Sequence, residues 1–203
     1  MNIFWLILSL LLWGLLHSLL ASHSAKKLTQ RFFGAVERRF YRLAYNLFTI
    51  ISFAPILAIS ALTPDRALYA IPFPWFILPL AGQVLAVIAL IIAFRQTDAW
   101  EFLGLRQLVV RKTARPETMR LVTTGLYRYV RHPLYTAGLA FIWLMPYMTL
   151  NLLAINISLT VYIIIGAYFE ERKLRREFGA QYLAYQSLTP MLIPGLRLRR
   201  NQN

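Results

Sequence analysis

The densest group of residues that could do chemistry lies between Leu121 and Gly138. It contains Arg128, Arg131 and His132, and Pro133 follows at the point where a long apolar run begins. Proline is favoured at the first position of a helix, because the nitrogen there has no intrahelical partner in any case. The next backbone N–H groups would then point out of a helix N-terminus, which suits a carboxylate or a phosphate. The alternative is that the basic residues reach lipid headgroups while the neighbouring tyrosines form an interfacial belt.

Two carboxylates, Glu170 and Glu171, stand at the end of a later apolar run. If the two runs form a helical hairpin, both carboxylates come close to the helix that begins at Pro133. Carboxylates at a membrane edge are costly unless they are paired. They could form ion pairs with nearby arginine or lysine side chains, or one of them could bind the cationic group of a ligand. A zwitterionic amino-acid group would satisfy the helix start and the carboxylate together.

Composition places this chemistry in a membrane. The chain has 203 residues, of which 58% are hydrophobic and 15% are charged, and its mean hydropathy is +0.52. These values exclude disorder and disfavour an ordinary soluble domain. Cysteine is absent and there are three histidines, so sulfur-based metal sites are excluded and no metal is expected.

Five apolar runs are long enough, or nearly long enough, to cross a hydrocarbon layer as helices, which takes about 20 residues each. The predicted spans lie at about 2–22, 41–62, 71–94, 133–148 and 151–169. A turn at Met145–Leu150 makes the last two a hairpin, and an amphipathic helix then continues and bends near Gly179. The predicted fold is an all-α membrane protein in one domain, 1–203, with about five transmembrane helices, a C-terminal helical hairpin and cytoplasmic amphipathic segments.

The distribution of basic residues sets the predicted orientation. With the N-terminus outside and the C-terminus in the cytoplasm, all of the 22 Lys and Arg except Arg66 fall on the inner side. The basic residues are then expected to contact anionic lipid, which makes the lipid bilayer the predicted partner of this integral membrane protein. Nucleic acid is not expected as a partner, because no DNA- or RNA-binding module accompanies the spans.

Several separated elements resemble the integral-membrane methyltransferases, the superfamily that includes isoprenylcysteine carboxyl methyltransferase and the phospholipid N-methyltransferases. The resemblance covers roughly 119–195, the predicted cofactor-binding core, and its elements are Gly125–Tyr127, Arg131–Tyr135, Glu170–Glu171 and Phe178–Tyr182 with the later Pro190 and Pro194. Within the superfamily, the chain looks most similar to the methanethiol S-methyltransferases and the NnrU-type proteins. The stretches behind this finer resemblance are His17–Ser18, Glu37–Tyr41, Phe102–Gln107 and Met145–Pro146.

The resemblance implies that S-adenosylmethionine is the cofactor and that it binds at the cytoplasmic ends of the last helices. The implied contacts are Met119, Arg120, Leu121, Val122, Tyr127, His132, Pro133, Leu134, Tyr135 and Glu170. In the carboxyl methyltransferases an arginine one helical turn before this glutamate contacts the substrate, and Gly166 stands at that position here. A prenylcysteine carboxylate would therefore lack its counter-charge.

The predicted activity is methyl transfer to a small hydrophobic or lipidic acceptor, with a thiol preferred to a phospholipid amine or a prenylcysteine. The predicted catalytic residues are His132, Arg131 and Glu171, which could favour a thiolate or accept a proton. Candidate substrate contacts are His17, Gln83, Arg106 and Gln107. Helix packing is the favoured alternative for the first two, and a segment on the membrane surface for the last two. The competing function is a non-catalytic membrane factor of the NnrU type.

Overall fold

The computed structural model describes residues 3–97 and 121–196. The predicted contacts at Met119, Arg120, Arg106 and Gln107 lie outside these ranges. The elements are α1 (Ile3–Ala21), α2 (His23–Leu62), β1 (Ala67–Ala70), α3 (Ile77–Gln96), a 3-10 turn (Gly125–Arg128), α4 (Pro133–Trp143), β2 (Tyr147–Thr149) and α5 (Leu150–Leu188). The two short strands pair with each other.

Within residues 3–97 and 121–196, four helices are long and apolar enough to cross a membrane: α1, the part of α2 from Phe40 to Leu62, α3, and α5. The shorter apolar helix is α4. The predicted all-α membrane fold is therefore confirmed, with differences at the ends of its spans. The third span begins at Ile77 and not at 71, because β1 and a proline-containing turn precede it, and α4 ends at Trp143 because the chain turns into β2.

Clustering of the backbone divides the chain into two compact units. The first contains the described residues up to Leu68 together with Met148–Ser158, and the second contains 69–97, 121–147 and 159–196. Helix α5 runs through both units. That the chain acts as one domain, with a cofactor-binding core at 119–195, stays a prediction.

In the first unit, α1 packs against α2 through polar contacts inside an apolar interface. The Trp13 indole donates a hydrogen bond of 3.0 Å to the Ser52 hydroxyl, and the rings of His17 and Tyr45 meet edge to face. The Tyr45 hydroxyl also bonds to Nε2 of His17. Because polar groups in hydrocarbon are costly, these pairs fix how the two helices pack against each other.

Asn151 closes the first unit at the end of α2. Its side chain is fully buried, and its amide nitrogen donates to the carbonyls of Ser60 and Thr63 at 3.1 and 3.2 Å. Its backbone N–H donates to the Asp65 carboxylate at 3.1 Å. The sequence predicts a helix cap at Asn151, and its side chain does satisfy carbonyls at a helix end, although the helix is α2 and not its own.

In the second unit, side-chain hydrogen bonds join both α3 and α5 to α4. The Gln83 amide of α3 donates to the Phe141 carbonyl at 3.0 Å, and the Trp143 indole donates to the Thr160 hydroxyl of α5 at 2.9 Å. The Tyr135 hydroxyl, near the start of α4, donates to Glu170, which lies further along α5. Helices α4 and α5 are therefore antiparallel, which confirms the helical hairpin. Helix α5 continues well beyond the membrane-spanning length and breaks at Gly179, where φ is 52° and ψ is −127°, as predicted.

Replacing Asn151 with Ala should destabilise the protein, because two buried carbonyls of α2 would lose their donor. A buried unsatisfied group costs about 1–3 kcal/mol, so thermal unfolding in detergent should shift downward by several degrees. Ser9→Ala is the matched control, since the Ser9 hydroxyl only bonds to a carbonyl of its own helix. Equal unfolding temperatures for the two variants would contradict the assigned role of Asn151.

Candidate functional site

The site is built around the start of α4. Pro133 occupies the first turn, as predicted, and His132 directly precedes the helix. The Thr136 N–H donates to the His132 carbonyl at 3.0 Å. The N–H of Leu134 comes before this first intrahelical hydrogen bond and faces out of the helix end. The positive end of the helix dipole adds to the attraction for an anion at this point.

A C-terminal strap, Thr189–Leu192, lies against the residues at this helix start. The N–H groups of Arg131 and His132 donate to the carbonyls of Pro190 and Met191 at 2.9 and 3.1 Å. The Thr136 hydroxyl donates to the Leu192 carbonyl at 2.6 Å. The strap therefore accepts hydrogen bonds from the backbone donors that precede Pro133 and does not use the Leu134 N–H at the start of α4.

Arg131 and Glu171 form a buried ion pair, with side chains 8% and 5% exposed. The Arg131 Nε and Nη2 lie 2.6 and 2.5 Å from Glu171 Oε1. Nη1 donates to the carbonyls of Gln186, at 3.2 Å, and Thr189. The Gln186 amide donates to Glu171 Oε2 at 2.6 Å. The arginine thus joins the acidic residue of α5 to the residues that lead into the strap.

Glu171 stays ionised in this setting. Burial acts to raise its pKa, but the nearby His132 ring and the charge and hydrogen bonds of Arg131 outweigh that effect and hold the pKa below its usual value. Glu171 follows the apolar part of α5, at the edge of the membrane-spanning segment. Its charge is consequently matched inside the protein.

Glu170 is placed differently, with a side chain 43% exposed. The Tyr135 hydroxyl donates to its Oε2 at 2.9 Å, and His132 Nδ1 lies 3.5 Å from the same oxygen. Glu170 is therefore turned toward the start of α4. It brings a negative charge next to the positive end of a helix, which is the pair of groups that a zwitterionic amino-acid moiety needs.

His132 lies between the two glutamates and is almost completely buried. Its ring stacks on Tyr135, with the ring centres 5.3 Å apart, and its Nε2 is 3.5 Å from Glu171 Oε1. Within the part of the chain that the structure describes, this Nε2 makes no hydrogen bond. The two ring nitrogens of His132 therefore face one glutamate each, Nδ1 toward Glu170 and Nε2 toward Glu171.

Tyr127 forms another wall of the site, on the 3-10 turn. The Tyr185 hydroxyl donates to the Tyr127 backbone carbonyl at 2.5 Å, and the Tyr127 hydroxyl lies near the Thr97 side chain just after α3. Burial, assisted by the negative charge of Glu170, raises the pKa of Tyr127 to about 12. The phenol is therefore neutral at physiological pH and can offer its ring to a ligand.

The structure brings most of the predicted site residues together at the start of α4, and the others lie elsewhere. Those brought close together in the second unit are Tyr127, Arg131, His132, Pro133, Leu134, Tyr135, Glu170 and Glu171. Leu121 and Val122 lie in the irregular segment before the turn and are partly exposed. His17 belongs to the first unit, and Gln83 contacts Phe141, eight residues beyond Pro133 and about 12 Å along the helix. The roles of all these residues in binding or catalysis stay predictions.

Sequence reasoning missed Gln96, Thr136 and Gln186, which contact the site elements through hydrogen bonds. A threonine or glutamine inside a helix gives no pattern of its own, and only the fold shows what each one reaches. Among the residues that the structure describes, no group of three or more potential ligands could hold a metal ion.

The observed groups fit the amino-acid end of S-adenosylmethionine. A helix start offers a donor and a dipole to a carboxylate, Glu170 offers a charge to an ammonium or hydroxyl groups, and Tyr127 offers an aromatic face. The fit rests on the donor and acceptor set of the described residues, and Met119 and Arg120 lie outside them.

Comparisons with known proteins agree with this chemistry. The profile of the phospholipid methyltransferase family matches residues 77–181. Methanethiol S-methyltransferase 2 of Bradyrhizobium diazoefficiens is 40% identical over 114 residues, which are 54% of this chain and 44% of that protein. Methanethiol S-methyltransferase of a Pseudomonas species is 32% identical over 193 residues, 92% of this chain and 69% of that protein. Nurim of Mus musculus is 26% identical over 180 residues, 84% of this chain and 67% of that protein.

No solved structure matches the chain. The chain spans less than half the length of the Bradyrhizobium relative. The family profile nevertheless covers more than half of this chain, from the first residue of α3 to beyond the break at Gly179. Together with the more extensive Pseudomonas match, it shows that the chain belongs to the phospholipid methyltransferase family of membrane proteins.

Proposed function

We propose that this chain transfers a methyl group from S-adenosylmethionine to a small or lipophilic thiol at the cytoplasmic face of a membrane. The observation that carries the proposal is the position of Glu170, beside Tyr135 and His132 at the start of α4. The family supplies the reaction type, and the names of two relatives supply the thiol, methanethiol. We place the site on the inner face because, with the C-terminus in the cytoplasm, all but one of the basic residues lie on that side.

In this proposal the start of α4 binds the cofactor carboxylate through the Leu134 N–H and the helix dipole. Glu170 binds the cofactor ammonium or ribose, and the Tyr127 ring lies against the adenine or the sulfonium. Met119–Val122 would complete the contacts. When bound, the cofactor supplies a methyl group made electrophilic by the sulfonium charge.

The protein's own contribution is to orient the acceptor and to remove its proton. Alignment of two reactants can contribute about 7–11 kcal/mol to a reaction of this kind. A cysteine thiol has a pKa of about 8.5 when free, and a simple alkyl thiol is a weaker acid, so a base beside the acceptor assists its ionisation. His132 is the proposed base, because its ring lies at the start of α4 with Nδ1 3.5 Å from Glu170, beside the proposed cofactor position.

A thiol suits this site better than the other acceptors of the superfamily. An amine would also have to lose a proton, and once deprotonated it is a weaker nucleophile than a thiolate. A prenylcysteine carboxylate would find Gly166 where the carboxyl methyltransferases have an arginine. Among the described residues, a Cβ added to Gly166 would meet nothing within 4 Å, so the space beside this position is open there. A small thiol carries no carboxylate, so it needs no counter-charge at the position of Gly166.

Replacing Glu170 with Gln should weaken S-adenosylmethionine binding tenfold or more, about 1.4 kcal/mol, because the carboxylate charge opposite the helix start is lost. Calorimetry on detergent-solubilised protein measures the affinity. Glu177→Gln is the matched control, since Glu177 lies two turns further along α5 and pairs with Lys173. Unchanged affinity of the Glu170 variant would reject the proposed role of this residue.

Purified protein incubated with methyl-labelled S-adenosylmethionine should label methanethiol and other small alkyl thiols in preference to phosphatidylethanolamine and prenylcysteine analogues. Extraction of labelled thioether measures the product. Labelling of phospholipid alone would replace the thiol as substrate and keep the reaction type. No labelling together with no cofactor binding would leave a non-catalytic membrane factor as the function.

Arg131 and Glu171 are also proposed catalytic residues, and their contacts allow catalysis to be separated from structural support. Arg131→Gln should lower the free energy of unfolding by about 3–5 kcal/mol, because Glu171 would remain buried without its main counter-charge. Thermal unfolding checks this, with the exposed Arg176→Gln as control. Lost turnover at an unchanged unfolding temperature would instead assign Arg131 to the chemistry alone.

A further inference from the structure

The last residue of α3, Gln96, reaches across to the 3-10 turn that carries Tyr127. Its Oε1 accepts a hydrogen bond of 3.0 Å from the backbone N–H of Leu126. The donor belongs to the residue directly before Tyr127, so the bond fixes the peptide that leads into the tyrosine. Gln96 is partly buried, which makes the hydrogen bond less exposed to competition from water.

Gly125 is required for this contact on two separate grounds. Its φ is +62°, in the left-handed region that favours glycine. A Cβ on Gly125 would also lie 2.0 Å from Gln96 Nε2 and 2.7 Å from Oε1. The amide of Gln96 therefore occupies the space where any other residue would place its side chain.

The same turn is fixed from a second direction. The Tyr127 carbonyl accepts a hydrogen bond from the Tyr185 hydroxyl, and the Tyr127 hydroxyl lies near the Thr97 side chain, next to Gln96. The backbone is thus held on both sides of Tyr127, by Gln96 before it and by Tyr185 at its carbonyl, while the half-buried ring is not used by these bonds. Such an arrangement orders the ring before a ligand arrives.

We propose that Gln96 is a positioning residue, which sets the orientation of the Tyr127 ring for contact with the methyl donor. The inference rests on the proposed function, since it assumes that Tyr127 contacts S-adenosylmethionine. A ring that is already ordered loses less conformational freedom on binding, and the affinity is correspondingly higher. Gln96 acts through Tyr127 and does not itself touch the cofactor.

The test compares S-adenosylmethionine binding to variants of the full chain in detergent. Gln96→Met keeps the length of the side chain but removes the acceptor, and it should weaken binding about five- to tenfold. Gln96→Glu keeps an acceptor oxygen and should restore most of the affinity. Gln96→Asn, which is too short to reach Leu126, replaces the methionine variant if that variant does not fold.

Tyr127→Leu provides the readout that a purely structural role would not move. If Gln96 acts through the tyrosine ring, Gln96→Met should cause no further loss of affinity once Tyr127 is leucine. Trp143→Phe is the matched control, because it removes a hydrogen bond between elements at the far end of α4 and should leave the affinity unchanged. Thermal unfolding without cofactor verifies that each variant is folded.

Three results would overturn the inference in distinguishable ways. Equal affinity of Gln96→Met and the unmutated chain would show that Gln96 does not position Tyr127, while the proposed function would stand. If Gln96→Met caused the same loss of affinity in the Tyr127→Leu variant as in the unmutated chain, Gln96 would not act through the Tyr127 ring. Failure of the unmutated chain to bind S-adenosylmethionine would overturn the proposed function and this inference with it.

Discussion

The buried ion pair between Arg131 and Glu171 is the constraint on which the rest of the site depends. Neither charge could be buried alone at this depth without a penalty of several kcal/mol, so each requires the other. The pair connects Arg131, two residues before α4, with the point on α5 where the apolar run ends. The remaining donors of Arg131 bind the carbonyls of Gln186 and Thr189, so one guanidinium fixes two helices and the strap together. The start of α4 and the neighbouring Glu170 are thereby kept in one place.

Two adjacent glutamates do different work because neighbouring residues on a helix point about 100° apart. Glu171 faces Arg131 and Gln186 and is satisfied by them, while Glu170 faces Tyr135 and remains partly exposed. His132 lies between the two carboxylates, with one ring nitrogen 3.5 Å from each of them. In the proposed function, Glu171 has a structural role and Glu170 binds a ligand. Both roles require α5 to keep a fixed rotation about its axis, and the ion pair of Glu171 with Arg131 holds it there.

The sequence was most informative where one residue has a local physical effect. Pro133 predicted the start of α4, Gly179 predicted the break in α5, and the apolar runs predicted the membrane helices, because each signal depends on the chain around it. The ends of the spans were less predictable, since pairing of β1 with β2 shortens α3 and α4 and no local signal announces that pairing. Which of Glu170 and Glu171 would meet Arg131 depended on helix rotation, and both arrangements were compatible with the sequence. Gln96 was invisible for a similar reason: its role comes from Gly125, which is 29 positions away in the chain.

The membrane itself helps to identify the site, because polar groups in an apolar chain must be accounted for. Gln83 donates to the Phe141 carbonyl, Trp13 donates to Ser52, and the His17 ring bonds to Tyr45, so helix packing explains the polar groups within these spans. Glu170 is different, since a carboxylate that served packing alone would be expected to be as enclosed as Glu171. It stays partly exposed beside a helix start and an almost enclosed histidine nitrogen, at the level where the apolar run of α5 gives way to charged residues. Under the proposed function, a charged cofactor arriving from water and an acceptor dissolved in the bilayer would come within reach of each other at this level.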